Sequence, residues 1–162
     1  MGLTAGWQHA GRATKRGARR SRGQRPKLRL RVSEATIHVR ITAGSPEADL
    51  AAAVWPGVAS VTYPHAETAQ HIEQADAHIA RWERLRGIRP GRIDIRPLIE
   101  STRGVTRAHE IASSSPRVRA MGLGPAITLE VGDEALSYAR SECELHARAL
   151  GIVPLDPFVP LD

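Results

Sequence analysis

Short β-branched runs that alternate with helical stretches constrain the fold of this chain more than any other feature of its sequence. The runs begin at about residues 37, 58, 93, 118 and 152, so they lie 20 to 35 residues apart with a helical stretch between each pair. This rhythm is typical of βαβ units, in which a helix connects two parallel strands. The sequence therefore predicts an α/β fold, either a small doubly wound sheet or a partial TIM (β/α)₈ barrel of about five units.

Turn residues and helix-stop residues set the boundaries of the predicted elements. Strands are expected over 37–41, 58–63, 93–99, 118–123 and 152–155, and helices over 47–55, 66–86, 105–112 and 133–150. The second helix carries apolar residues at spacings of three and four, and Gly87 follows it where a C-terminal cap belongs. Because no glycine-rich phosphate-binding fingerprint follows any strand, a dinucleotide-binding fold is disfavoured.

Composition excludes several classes of protein. Aromatic residues are only 4% of the chain, so its core must be built from Ala, Val, Ile and Leu. The single cysteine, Cys143, excludes a disulfide framework and a multi-cysteine zinc site, and its place within a helix predicts a small buried hydrophobe. No run approaches the roughly 18 apolar residues of a transmembrane helix, and no basic segment leads into an apolar one. We therefore expect a cytoplasmic protein.

The basic charge of the chain is concentrated at its start. Residues 1–32 hold 10 basic residues and no acidic one, which leaves 13 basic and 17 acidic residues in the other 130. This Arg/Gly-rich segment has no apolar period, so it is predicted to be disordered. Three interpretations stay open: a solvated or artefactual start, an arm that binds nucleic acid through phosphates, and a targeting peptide, although Ser21 is its only serine.

The positions where the predicted strands end carry the candidate site residues. They are Arg40, His65 with Glu67, the segment from Glu100 to Gly104, and Asp156. Active sites of parallel barrels lie at these strand ends. Arg40 can clamp a carboxylate, Glu100 can offer oxygen to Mg²⁺, and backbone N–H groups at Arg103 and Gly104 can face an anion. The set suits an anionic substrate, although Arg40 as a surface ion pair and Glu67 as a first-turn acid are ordinary alternatives.

The segment around Glu100 resembles a family pattern. The "LVETARGV…EIAxxSPRV" segment of the HpcH/HpaI aldolase/citrate lyase beta-subunit family is similar to PLIESTRGV at 97–105 and EIASSSPRV at 110–118. Three flanking pieces agree in order and spacing: HVRI at 38–41, YPHAETA at 63–69, and YARS at 138–141 with PLD at 154–156. The resemblance covers about residues 33–162.

The resemblance implies a TIM barrel and a Mg²⁺-dependent carbon–carbon lyase. Members of the family cleave citryl-CoA, malyl-CoA and similar acyl-CoA thioesters, or 2-keto acids, to an enolate and an oxo-acid. By this resemblance Arg40 would bind the substrate and its oxyanion, Glu67 would support the site, and Glu100 would be one of two metal carboxylates. The turn at Arg103 and Gly104 would hold the substrate carboxylate, and Asp156 would belong to the same substrate-binding set.

The sequence departs from the family pattern at two positions and in length. The family's second metal carboxylate, the Asp of a "GAEDL" turn, falls on Ala126, and the nearest carboxylate is Glu130, four residues later. His65 replaces the family's lysine after "LP". A full barrel takes about 250 residues, so we expect a truncated or divergent member.

Three functions follow from this sequence as expectations. The first is a lyase with Mg²⁺ as cofactor and an acyl-CoA or 2-keto acid as substrate. The second is a catalytically impaired scaffold or partner subunit, assembled as a homo-oligomer or with a complementing chain. The third is nucleic-acid binding through the basic segment at 1–32, which we regard as the weakest of the three. A membrane partner is not expected.

Overall fold

The computed structural model of this chain describes residues 36–42 and 44–155; the predicted disorder of 1–32 and the candidate residue Asp156 lie outside the described residues. Strands occupy Ile37–Arg40 (β1), Val58–Tyr63 (β2), Asp94–Ile99 (β3), Ala120–Leu123 (β4) and Val153–Leu155 (β5). Helices occupy Pro46–Ala53 (α1), Ala69–Leu85 (α2), Thr102–Val105 (α3), Ala108–Ser113 (α4) and Asp133–Ala149 (α5), with a 3₁₀ helix at Pro125–Leu129.

The strands form one parallel sheet whose spatial order follows the chain. β1 pairs with β2, β2 with β3, β3 with β4, and β4 with β5, all in parallel. A doubly wound sheet reverses its direction of growth along the chain, whereas this sheet grows in one direction only. The helices pack in the same sequence, α1 on α2, α2 on α4, and α4 on α5. Of the two predicted folds, the structure is therefore the partial barrel.

The core lies between the sheet and the helices. Val61 of β2, Ile95 of β3, and Ile72 and Ile79 of α2 belong to one apolar cluster of buried residues. Cys143 of α5 belongs to the same cluster, as predicted, and burial raises the pKa of its thiol to about 12. Over the described ranges, no helix has the length and hydropathy needed to span a membrane.

Two helix boundaries differ from the predicted ones because of capping side chains. The helix predicted over 66–86 begins at Ala69, since the Thr68 hydroxyl accepts a hydrogen bond of 3.3 Å from the His71 N–H. The helix predicted over 105–112 is instead the two short helices α3 and α4. Ser101 starts α3 by accepting from the Gly104 N–H at 3.1 Å, which is the bond that an N-cap serine makes.

A buried ion pair ties α2 to the sheet at the end opposite the candidate site. Arg117 donates to both carboxylate oxygens of Glu83, at 2.7 and 2.9 Å, and also to Asp76. Glu83 is fully buried and accepts two more hydrogen bonds, from the N–H groups of Gly91 at 2.9 Å and Ile93 at 3.0 Å. The pair therefore holds α2 against the starts of β3 and β4. Arg117 was predicted only as part of a family pattern, and its partner Glu83 was not predicted.

This cluster predicts how stability depends on pH. Burial by itself raises the pKa of Glu83, but hydrogen bonds from Arg117, Ile93 and Gly91 outweigh burial and lower it. A carboxyl with a lowered folded pKa contributes stability that is fully present above its unfolded pKa, about 4.3, and is lost as pH falls through the folded value. We expect the free energy of unfolding to decrease below about pH 4, and Glu83→Gln to show a shallower decrease. Urea unfolding followed by circular dichroism checks this; equal pH slopes for the two proteins would contradict it.

Candidate active site at the carboxyl ends of the strands

Glu100, directly after β3, is the centre of the candidate site. Its side chain is 1% exposed, yet both of its oxygens have partners. Arg40, the last residue of β1, places Nη2 3.3 Å from Oε1. The His65 N–H donates to Oε2 at 3.1 Å, and the imidazole Nε2 lies 3.6 Å from the same oxygen. A buried carboxylate is costly unless it is paired, and here two strand ends supply the pairing.

The backbone of His65 is left-handed at this contact. His65 has φ 48°, and it is the only non-glycine residue with positive φ among those the structure describes. Such a conformation costs about 1–3 kcal/mol and persists where surrounding structure enforces it, most often at functional sites. The N–H of this residue donates to Glu100 Oε2. This conformation could not be predicted from the sequence, because a left-handed residue is expected at glycine or asparagine.

The end of β4 packs directly on the Glu100 carboxylate. The Gly124 N–H donates to the Ile99 carbonyl at 2.7 Å, which keeps the two chain segments together. A Cβ built on Gly124 would lie 2.3 Å from Cγ of Glu100 and 2.4 Å from Oε1. Only glycine leaves room for the carboxylate at this position.

Glu67 reaches the loop after β3 through Ser101. The Ser101 hydroxyl donates to Glu67 Oε1 at 2.7 Å and accepts from the Gly104 N–H. Gly104 is buried, and a Cβ there would lie 2.8 Å from the Ala66 carbonyl oxygen. The Gly104 N–H thus already has an acceptor within the protein, whereas the Arg103 side chain is exposed. Arg40, Glu67 and Glu100 are brought together at one edge of the sheet, with Arg103 at its rim.

The described residues do not by themselves fit the magnesium site that the resemblance implies. Mg²⁺ takes an octahedral shell of oxygens and usually keeps several waters. Glu100 is buried, and both of its carboxylate oxygens face nitrogen groups. Ala126 lies in the 3₁₀ helix and offers no ligand. Glu130 accepts a hydrogen bond of 2.9 Å from the Thr102 N–H. Across 36–42 and 44–155, no three His, Cys, Asp or Glu side chains group as metal ligands would.

A second polar group lies below the site on the same face of the sheet and was missed by sequence analysis. His38 Nδ1 is 2.8 Å from the Ser60 hydroxyl, and Arg96 Nη2 is 3.4 Å from His38 Nε2. Because arginine only donates, Nε2 accepts and the proton is on Nδ1, which donates to Ser60. Burial and the charge of Arg96 lower the pKa of His38, with Asp94 opposing them. The neutral ring therefore does not act as a base towards the serine.

Comparison with known proteins places this chain in a family. The family model for HpcH/HpaI aldolase/citrate lyase matches residues 8–160. The chain belongs to the HpcH/HpaI aldolase/citrate lyase family. It is 35% identical to the citrate lyase subunit beta of Escherichia coli strain K12 over 115 residues, which cover 67% of this chain and 38% of that protein. This family member thus spans well under half the length of that curated relative.

Solved structures agree with the partial barrel. The citrate lyase beta subunit of Mycobacterium tuberculosis is 27% identical, with a TM-score of 0.54 over 74% of this chain and 53% of the other. A complex of the M. tuberculosis beta subunit with oxaloacetate and magnesium has a TM-score of 0.51 at 24% identity, over 75% of this chain and 53% of that one, and supports the fold alone. The family and the barrel-type sheet expected from the sequence are both confirmed.

Proposed function

We propose that this family member takes part in a carbon–carbon lyase reaction, in which an acyl-CoA thioester or a 2-keto acid is cleaved to an enolate and an oxo-acid. The observation that carries the proposal is Arg40, whose side chain is 54% exposed while one end of it contacts Glu100. An arginine fixed at one side and open at the other presents its remaining N–H donors to a carboxylate or an oxyanion.

The geometry suggests a division of tasks among the site residues. When the carbon–carbon bond breaks, its electron pair passes to the carbonyl oxygen of the enolate fragment, and fixed positive charge beside that oxygen stabilises the transition state. Arg40 would supply this charge. Glu100 would position Arg40 by pairing with it, and Glu67 would hold the loop at Ser101 in place through its 2.7 Å hydrogen bond. Arg103 at the rim would attract the anionic substrate.

The proposal has two forms, which differ in whether this chain or a second chain supplies the magnesium ligands. Magnesium accompanies oxaloacetate in the M. tuberculosis complex. In this chain a magnesium site would need a second carboxylate beside Glu100, and β1 and β5, as the edges of the described sheet, can pair with a second copy or a complementing chain. The catalytically impaired partner subunit is therefore the second candidate function, favoured by Ala126 at the position of the second carboxylate.

Oxaloacetate binding tests the proposal. We expect isothermal titration of the full chain to show binding, and Arg40→Gln to weaken it about tenfold to a hundredfold, because a charge-assisted hydrogen bond is worth about 1.5–3 kcal/mol. Arg92→Gln is the matched control, since Arg92 is exposed at the opposite end of β3. Circular dichroism of both variants verifies that they are folded. Equal affinities for the two variants, or no binding to the wild type, would contradict the proposal.

A further inference from the structure

We infer that Arg40 and His65 compensate the charge of Glu100 in place of a divalent cation, so that this chain binds an oxo-acid anion without Mg²⁺. The inference rests on the proposed function, which supplies the anion, and adds a statement about its metal requirement. It also gives His65 a role as the second nitrogen side chain of the site.

Nitrogen groups surround the Glu100 carboxylate. Oε1 faces the Arg40 guanidinium, and Oε2 faces both the N–H and the imidazole of His65. The backbone of Gly124 closes a further side, because even a Cβ there would overlap the carboxylate. A magnesium ion on Glu100 would have to displace one of these nitrogen groups and would then lie beside the charged guanidinium, which repels it.

Glu100 lacks the second carboxylate that the family pattern places beside it. Position 126, where the family pattern places an aspartate, holds the methyl group of Ala126. Glu130 is exposed and bonded to the Thr102 N–H, so the described contacts place it at the start of α3 rather than on Glu100. The donor set is thus one buried carboxylate surrounded by nitrogen, which suits an anion better than a cation with an oxygen shell.

Arg40 and His65 are accessible to an approaching anion, whereas Glu100 is not. The side chains of Arg40 and His65 are 54% and 49% exposed, whereas the carboxylate between them is 1% exposed. An anion that approaches the site therefore meets the guanidinium and the imidazole and not the Glu100 oxygens. The positive charge that a metal would place against the substrate oxygen is supplied here by side chains.

Paired titrations in EDTA and in excess Mg²⁺ test the metal requirement. We expect oxaloacetate to bind the full-length wild type with dissociation constants that differ by less than about twofold between the two buffers. His65→Asn should weaken binding about fivefold or more in both, because asparagine tolerates the left-handed backbone and keeps the N–H while it removes the imidazole. His146→Asn is the matched control, since His146 is half-buried in an i,i+4 pair with Glu142 on α5.

Ala126→Asp is the positive control for metal binding, because it adds a carboxylate at the position of the missing metal ligand. The added carboxylate should give Mg²⁺ binding that direct titration without oxaloacetate registers, because it supplies a second oxygen ligand and its charge offsets the repulsion by the Arg40 guanidinium. A variant that gains none would contradict the role given to position 126. A wild type whose affinity rises about tenfold or more with Mg²⁺ would overturn the inference, and loss of that rise in Glu130→Gln would make Glu130 the ligand. Absence of oxaloacetate binding in both buffers would instead refute the proposed function.

Discussion

Replacing Arg117 with methionine is expected to lower the free energy of unfolding by about 3–5 kcal/mol, the usual effect of removing one partner from a buried ion pair. Glu83 would keep its two backbone donors but lose the guanidinium that neutralises it, and it is fully buried. Because a domain of this size is stable by only about 5–15 kcal/mol, the melting temperature should fall by about 10 °C or more. Differential scanning calorimetry of the full chain measures this.

A surface ion pair with the same N···O distance provides the control for Arg117→Met. Arg148 and Glu144 are also 2.7 Å apart, but their side chains are 66% and 47% exposed. Arg148→Met should therefore change the free energy of unfolding by less than about 1 kcal/mol. Arg117→Lys, which keeps the charge and loses the two-pronged contact, should fall between the two variants. Similar losses for Arg117→Met and Arg148→Met would show that burial of the first pair adds nothing to stability.

Most elements of secondary structure were predicted from the sequence, whereas the Glu83–Arg117 pair was not. The five strands and the long helices were predicted because apolar periodicity and helix-stop residues are local signals, and the same signals placed Arg40 and Glu100 at strand ends. The ion pair joins residues 34 positions apart, and periodicity assigns a residue to a face without naming its partner across the core. The split into α3 and α4 was missed for a local reason, since Ser101 was treated only as part of a motif.

The candidate site was predicted in its residues but not in its chemistry. A strand end is enough to bring Arg40, His65 and Glu100 to one edge of a parallel sheet. Which of them touch depends on the left-handed backbone of His65 and on the close approach of Gly124, and neither has a sequence signal apart from the glycine itself. The resemblance suggested a metal at Glu100, whereas the contacts surround that carboxylate with nitrogen.

Gly124→Ala is expected to disrupt the site directly, because the new Cβ would fall 2.3 Å from Glu100 Cγ. The carboxylate is enclosed by Arg40 and His65, so it can make room only by breaking those contacts. We expect a loss of about 1–3 kcal/mol in stability from overpacking and at least about a tenfold loss in oxaloacetate affinity. Calorimetric titration and urea unfolding measure the two effects on the same protein.

Gly132→Ala isolates the effect of the clash at Gly124 from the general effect of losing a glycine. Both glycines precede a helix, and their backbones are alike, with φ −86° and ψ 163° at Gly124 and φ −79° and ψ 173° at Gly132. A Cβ on Gly132 meets nothing within 4 Å. The two substitutions therefore share the cost of an alanine at the N-cap, and only one of them moves Glu100. If both variants bound oxaloacetate equally well, the position of the Glu100 carboxylate would not matter for anion binding, and the site would have to be sought elsewhere on the sheet.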